Sequence, residues 1–128
     1  MNWHRALAQV TMAAAVSLGA SAAQAQTYPT RNIIMIVPFA AGGPTDVVAR
    51  LVTGQMAPAL GQAIIIENVV GAGGTTGATR AAKAANDGYT LITGHMGTHA
   101  ASVPLYPKLA YHPEKDFERS RCSRVRRS

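Results

Sequence analysis

An apolar run, a glycine-bearing turn and a helix-spaced segment follow one another three times between residues 31 and 105, and this cycle restricts the fold more than any other feature. The first run, 31–39, carries Ile33, Ile34, Met35, Ile36 and Val37 without polar alternation. A strand apolar on both sides must be covered on both sides, as in a parallel sheet. Pro38 ends it, and Ala40-Ala41-Gly42-Gly43-Pro44 makes a loop. Val47, Val48, Leu51, Val52 and Met56 then recur at helical spacing. Thr45 or Asp46 falls in the first turn, where a short polar or acidic side chain satisfies free backbone N–H groups. Pro58 predicts a kink or an early end before Gly61.

The second cycle has a strand over 63–67 around Ile64-Ile65-Ile66, a loop at Gly71-Ala72-Gly73-Gly74 and a small-residue helix over 75–85. Asn86-Asp87-Gly88 closes it as a turn. A third strand is expected over 89–93, a third polar turn over 94–98, and the start of a short helix within 99–105. Pro104, Pro107 and Pro113 mark an irregular stretch after that. Strands alternating with helices predict an α/β fold: right-handed β-α-β units and a mostly parallel sheet.

The 128 residues carry a net charge of +6, which would suit a nucleic-acid binder if the charge were spread over a folded face. It is not. Residues 26–117 hold six basic side chains against five acidic ones, whereas 118–128 hold five arginines against Glu118. The core therefore offers no phosphate-tracking surface, and nucleic acid is not an expected partner. Cys122 is the sole cysteine, so neither an intrachain disulfide nor a cysteine metal motif is possible. His4 and Arg5 precede an apolar run over 6–20, and Ala23-Gln24-Ala25 supplies a small-residue cleavage site. That pattern reads as an export signal over 1–25, too short and too interrupted to span a bilayer, which places the remainder in the periplasm.

All three turns follow strands and precede helices, so they gather at the carboxyl ends of the sheet, where such folds bind ligands. Helix starts present unpaired N–H groups, and glycine lets a ligand approach the backbone closely. Any one loop could be only a tight turn; three in succession point to an anion cradle. A nucleotide loop would need the G-x-x-x-x-G-K-[ST] pattern, and no lysine follows either glycine loop. Gly71-Ala72-Gly73-Gly74-Thr75-Thr76-Gly77 misses the dinucleotide spacing by one residue. A carboxylate is the expected anion. His95 and His99 stand four apart, as helical metal ligands do, but Gly97 lies between them and no third ligand is near. Asp46 reads equally as a helix-dipole partner or as a ligand contact.

Four stretches carry a resemblance: 37–46 (VPFAAGGPTD), Glu67-Asn68 before Gly71-Ala72-Gly73-Gly74, Asp87-Gly88-Tyr89-Thr90-Leu91, and Gly97-Thr98-His99-Ala100. Together with Leu105-Tyr106 and the segment 111–117, this sequence resembles the extracytoplasmic solute receptors of tripartite tricarboxylate transporters, the Bug-type receptors. The resemblance implies a two-lobed periplasmic binding protein that closes on a small organic carboxylate and delivers it to membrane permease subunits. It implies no catalysis and no cofactor. By it, Phe39, Ala41, Gly42, Gly43, Thr45 and Asp46 line one side of the cleft, joined by Gly71, Ala72, Gly73 and Gly74 and by Gly97, Thr98 and His99. Val69-Val70 departs from the family's more polar, Pro-containing pair.

The family pattern covers 28–117 and stops there, so only the first part of lobe 1 is expected, as the N-terminal part of a two-lobed domain over 26–117. The segment 118–128 has one aliphatic residue and no periodicity. It reads as out-of-frame translation rather than an evolved basic arm, with carboxylate binding lost or impaired in consequence. Two other readings are a secreted nucleotide-binding α/β enzyme domain and an inactive remnant. Export is directly testable: protein recovered from the periplasm should begin at Gln26, and an intact mass that retains residues 1–25 would overturn the signal.

Overall fold

A computed structural model describes residues 28–120; residues 1–27, with the expected export signal, and 121–128 of the basic tail lie outside the described residues. Strand β1 (Ile33–Val37) is followed by helix α1 (Pro44–Leu60) and strand β2 (Ile64–Asn68). A single 3-10 turn (Ala72–Gly74) leads into α2 (Thr75–Ala82), and β3 (Thr90–Ile92) follows. A wide π-type turn (Gly97–Ala101) then runs into the one-turn helix α3 (Ser102–Leu105). The sheet order is β2-β1-β3, and both pairings are parallel, Ile33 lying opposite Ile64 and Ile34 opposite Thr90. The α/β fold with a parallel sheet is thus the one the three cycles predict.

Because the chain crosses from β1 to β2 in one direction and from β2 over β1 to β3 in the other, right-handed connections put α1 and α2 on opposite faces. Met35, Val37 and Ala49 form the core on the α1 side, with Ile64, Ile66 and Leu91 packed against them. On the other face an Arg80–Glu67 ion pair joins α2 to β2, and Ala78 is fully buried. The two lead-in segments are clamped at the far end of the sheet. The Arg31 guanidinium pairs with Asp87 at 2.8 Å and lies 4.0 Å over the Tyr89 ring, while Tyr28 Oη donates to the Gly88 carbonyl. Among the described residues no helix is long and apolar enough to cross a membrane.

Several boundaries differ from the sequence expectation. Pro58 neither breaks nor visibly shortens α1, which continues to Leu60 and is capped by Gly61 in the left-handed region at φ 67°. The reason is position: the partner that Pro58 denies a hydrogen bond is the carbonyl of Gly54, and both residues are on the exposed side where water can serve. The second helix stops at Ala82 instead of 85, and the third starts as the wide turn rather than at His99. The aliphatic residues that mark α1 are also not those it buries: Asp46, Ala49 and Thr53 face the sheet, whereas Val47, Val48, Leu51 and Val52 are exposed.

Close packing of α2 rests on one glycine. A Cβ on Gly77 would sit 2.8 Å from the Val69 carbonyl oxygen and 2.9 Å from Pro38 Cα, both backbone atoms that cannot swing away. Gly77→Ala should therefore destabilise the fold by about 1–3 kcal/mol from overpacking, offset by up to about 1 kcal/mol of helix propensity. Urea unfolding of the two proteins measures the difference, and an equally stable variant would show that α2 is free to shift.

Candidate functional site

The first loop is held by a buried carboxylate. Asp46, 1% exposed, accepts at Oδ2 from the Gly42 N–H (2.8 Å) and from Arg50 Nε (2.8 Å), and at Oδ1 from Asn68 Nδ2 (2.9 Å). Asn68 Nδ2 also donates to the Phe39 carbonyl at 3.0 Å. The Arg50 pairing first, and the Gly42 and Asn68 donors after it, hold the Asp46 carboxyl well below the usual carboxylate range against the opposing pull of desolvation. The Asp46 side chain therefore braces the loop from within. Gly42 adopts φ 78°, the left-handed conformation that lets its N–H turn back to Asp46.

All three loops meet at Gly74. A Cβ there would lie 2.7 Å from Thr98 Cγ2 of the third loop and 2.9 Å from Phe39 Cζ of the first, at a φ of 90°. Only glycine fits. The Phe39 ring continues onto His95, stacked at 4.6 Å between centroids with 19° between planes. The third loop is anchored below by a buried network. Tyr111, 5% exposed, donates through its hydroxyl to the Thr98 carbonyl, which Ser102 Oγ also reaches at 2.8 Å. Thr98 Oγ1 lies 3.1 Å from the His95 N–H and 2.9 Å from His99 Nδ1. Burial, and after it the neighbouring His95, lower the His99 pKa, which favours the neutral ring.

Two cavities open beside this junction. A cleft of about 250 Å³ lies between the start of α1 and the third loop, lined by Pro44, Thr45, Val48, Thr93, Gly94 and His95. It sits between β1 and β3, where the strand order reverses direction, the usual crevice for ligands in open parallel sheets. At the start of α1 Pro44 has no N–H and Val47 N–H makes the first helical bond to the Gly43 carbonyl (3.0 Å). The amides of Thr45 and Asp46 are the remaining donors of that first turn. A larger cavity of about 480 Å³ lies under the irregular segment, where His99, Tyr106, Tyr111, His112 and Glu114 contribute polar groups. No lysine or arginine lines either cavity; Arg50 is committed to Asp46.

Of the residues expected at the site, Thr45 lines the cleft and His99 the larger cavity. Asp46, Gly74 and Thr98 are buried and work on the framework. Ala41, Gly42, Gly71, Ala72 and Gly73 are exposed, Gly43, Phe39 and Gly97 partly so, and none of these eight lines either cavity. Sequence reasoning named neither Val48 nor Thr93 for the site; Gly94 and His95 fell in the third turn of the expected cradle without being named as contacts, and His95 was weighed with His99 as a metal pair and set aside. The signal for Gly94 and His95 was their place directly after β3. Among the described residues no cluster of three or more His, Cys, Asp or Glu side chains could hold a metal ion.

Comparison with known proteins gives a consistent picture. The family profile described as a tripartite tricarboxylate transporter family receptor matches residues 48–123, a stretch reaching beyond Phe117. A protein encoded in the TAR-I ttuE-ttuC' intergenic region of Agrobacterium vitis is 52% identical over 96 residues, covering 74% of this chain and 28% of its own. Among solved structures, MatC from Rhodopseudomonas palustris with bound malate superposes with a TM-score of 0.68 at 64% identity, over 70% of this chain and 31% of MatC. A second R. palustris protein, solved with adipate, gives 0.65 at 39% identity, over 68% of this chain and 29% of its own. The chain thus spans less than a third of the length of these relatives.

The brace at Asp46 has a pH signature. A carboxyl whose folded pKa lies below its unfolded value of 3.8 contributes stability that is present above that value and lost as pH falls below it. Unfolding free energy should decline from pH 4 downward, and Asp46→Asn should flatten that decline while lowering stability at pH 7. Parallel pH profiles for both proteins would dismiss the brace.

Proposed function

The chain belongs to the tripartite tricarboxylate transporter receptor family, and we propose that it presents one wall of a periplasmic cleft for a small organic carboxylate. The cargo would pass to the membrane permease of that transporter. The observation that carries the reading is the convergence of three strand-end loops on Gly74, beside a cleft floored by the first turn of α1. Malate in MatC and adipate in the second R. palustris protein are both dicarboxylates, and their similarity to this chain supports that class here.

Recognition on this wall is by backbone and hydroxyl donors. The Thr45 amide and the partial positive charge of the helix end face the carboxylate, with the hydroxyl of Thr45 beside them. Val48 and Pro44 offer apolar surface to the carbon chain. The role requires no bond to be made or broken, so no residue is assigned a catalytic step. A single wall leaves the ligand open to water, where a hydrogen bond to carboxylate largely replaces one to solvent. Closure by an opposing lobe is what normally supplies the surplus.

An amide NMR titration of the purified chain tests this directly. Malate and adipate should each shift the Thr45, Gly94 and His95 amides, with dissociation constants no tighter than about 1 mM, worth roughly 4 kcal/mol. Shifts confined to other residues, or a stronger response to AMP than to either carboxylate, would overturn the assignment.

A further inference from the structure

Three polar side chains line the cleft beside the loop junction: Thr45, Thr93 and His95. The Thr93 hydroxyl donates its proton to Met35 Sδ of β1 at 3.2 Å, so it has none left for a ligand. Thr45 stands on the α1 side and His95 in the loop after β3. His95 is exposed, yet its ring is held on two sides. One face stacks on Phe39, which is itself wedged over Gly74. At the ring edge, Nδ1 accepts the Gly97 N–H at 2.8 Å. The backbone beneath is fixed as well. The His95 carbonyl takes the N–H groups of Thr98 (3.1 Å) and His99 (3.0 Å), and the His95 N–H reaches Thr98 Oγ1. Gly97 also makes room for the ring, since a Cβ there would lie 2.5 Å from His95 Cε1.

A ring nitrogen that accepts a hydrogen bond carries no proton, so the proton of this neutral imidazole sits on Nε2. The Gly97 amide thereby sets the tautomer. Among the described residues no group accepts the Nε2 proton. We infer that His95 Nε2–H is a specificity donor of the cleft, bonding a carboxylate oxygen of the ligand from the side opposite Thr45. The inference rests on the carboxylate reading proposed above and adds one side-chain donor to that wall. An ordinary surface histidine loses rotamer freedom when it engages a ligand; this ring is ordered beforehand, which lowers the cost of binding. The locked tautomer also discriminates. A ligand ammonium in the same place would set donor against donor, whereas a carboxylate oxygen completes the pair.

The test separates the donor from the scaffold. Asparagine places its carbonyl where Nδ1 stands and can still accept the Gly97 N–H; glutamine carries its amide group out to the place of Nε2. The full chain and its His95→Asn and His95→Gln variants are titrated with malate and with adipate, followed by amide NMR. His95→Asn should weaken both by about fivefold, the net worth of one hydrogen bond with water competing, while the Gly97 and Thr98 amides of the free chain stay in place. His95→Gln should recover most of that loss. In the wild type, imidazole nitrogen spectra should show the proton on Nε2, with a resonance that moves as malate is added. That readout stands whether or not a variant folds. Undiminished affinity in His95→Asn, equal losses in both variants, or a ring protonated on Nδ1 alone would overturn the inference and leave the carboxylate reading intact. A wild-type chain that responds to neither carboxylate would overturn both.

Discussion

The arrangement of the loops depends on one buried negative charge. The Asp46 carboxylate takes donors from the first loop, from its own helix and from the end of β2. Removing a carboxylate from water is costly unless its lone pairs are met, and hydrogen bonds to a charged acceptor are about twice as strong as neutral ones. Here three donors meet two oxygens. The result is that β1, α1 and β2 are tied at the end of the sheet where the cleft opens. Arg50 is itself exposed by 54% along its side chain, so its share is screened by solvent. The Gly42 and Asn68 donors reach the same carboxylate from the first loop and from the end of β2, which fixes the geometry at one point.

The second constraint follows from the first. Once Asn68 holds the Phe39 carbonyl, the Phe39 ring is committed to the space over Gly74, and Thr98 packs from the other side. The junction leaves no room for a Cβ, so the glycine-rich character of the second loop is a packing requirement as much as a binding one. Tyr111 then fixes Thr98 from below, which ties the irregular segment after α3 to the same point. Three backbone turns that could each flex alone are thereby held in one arrangement.

Strand β1 was legible because five consecutive apolar residues admit few alternatives, β2 from its three consecutive isoleucines, and the loops because glycine and proline punctuate them. Helix existence was equally plain. Which face α1 buries was not, since periodicity reports the side on which apolar residues gather and not what covers that side. Here the sheet takes Ala49 and Thr53, small residues that permit close approach, and leaves the larger aliphatics outward. Asp46 and Thr98 were expected in the cleft because they belong to its loops; the structure spends both on holding those loops. Thr93 carries no motif, and only the end of β3 marks it; Gly94 opens the third turn without being singled out within it. The wide turn at Gly97–Ala101 lies equally outside what spacing conveys.

A site built this way has a particular electrostatic character. Its one nearby arginine is neutralised within the framework, and no lysine or arginine lines the cleft. An anion entering it gains from oriented amide dipoles and from no guanidinium or ammonium group. Dipoles fall off faster with distance than charges, so such a wall discriminates by fit rather than by long-range attraction. The surplus that turns fit into affinity must come from excluding water, which a single wall cannot do.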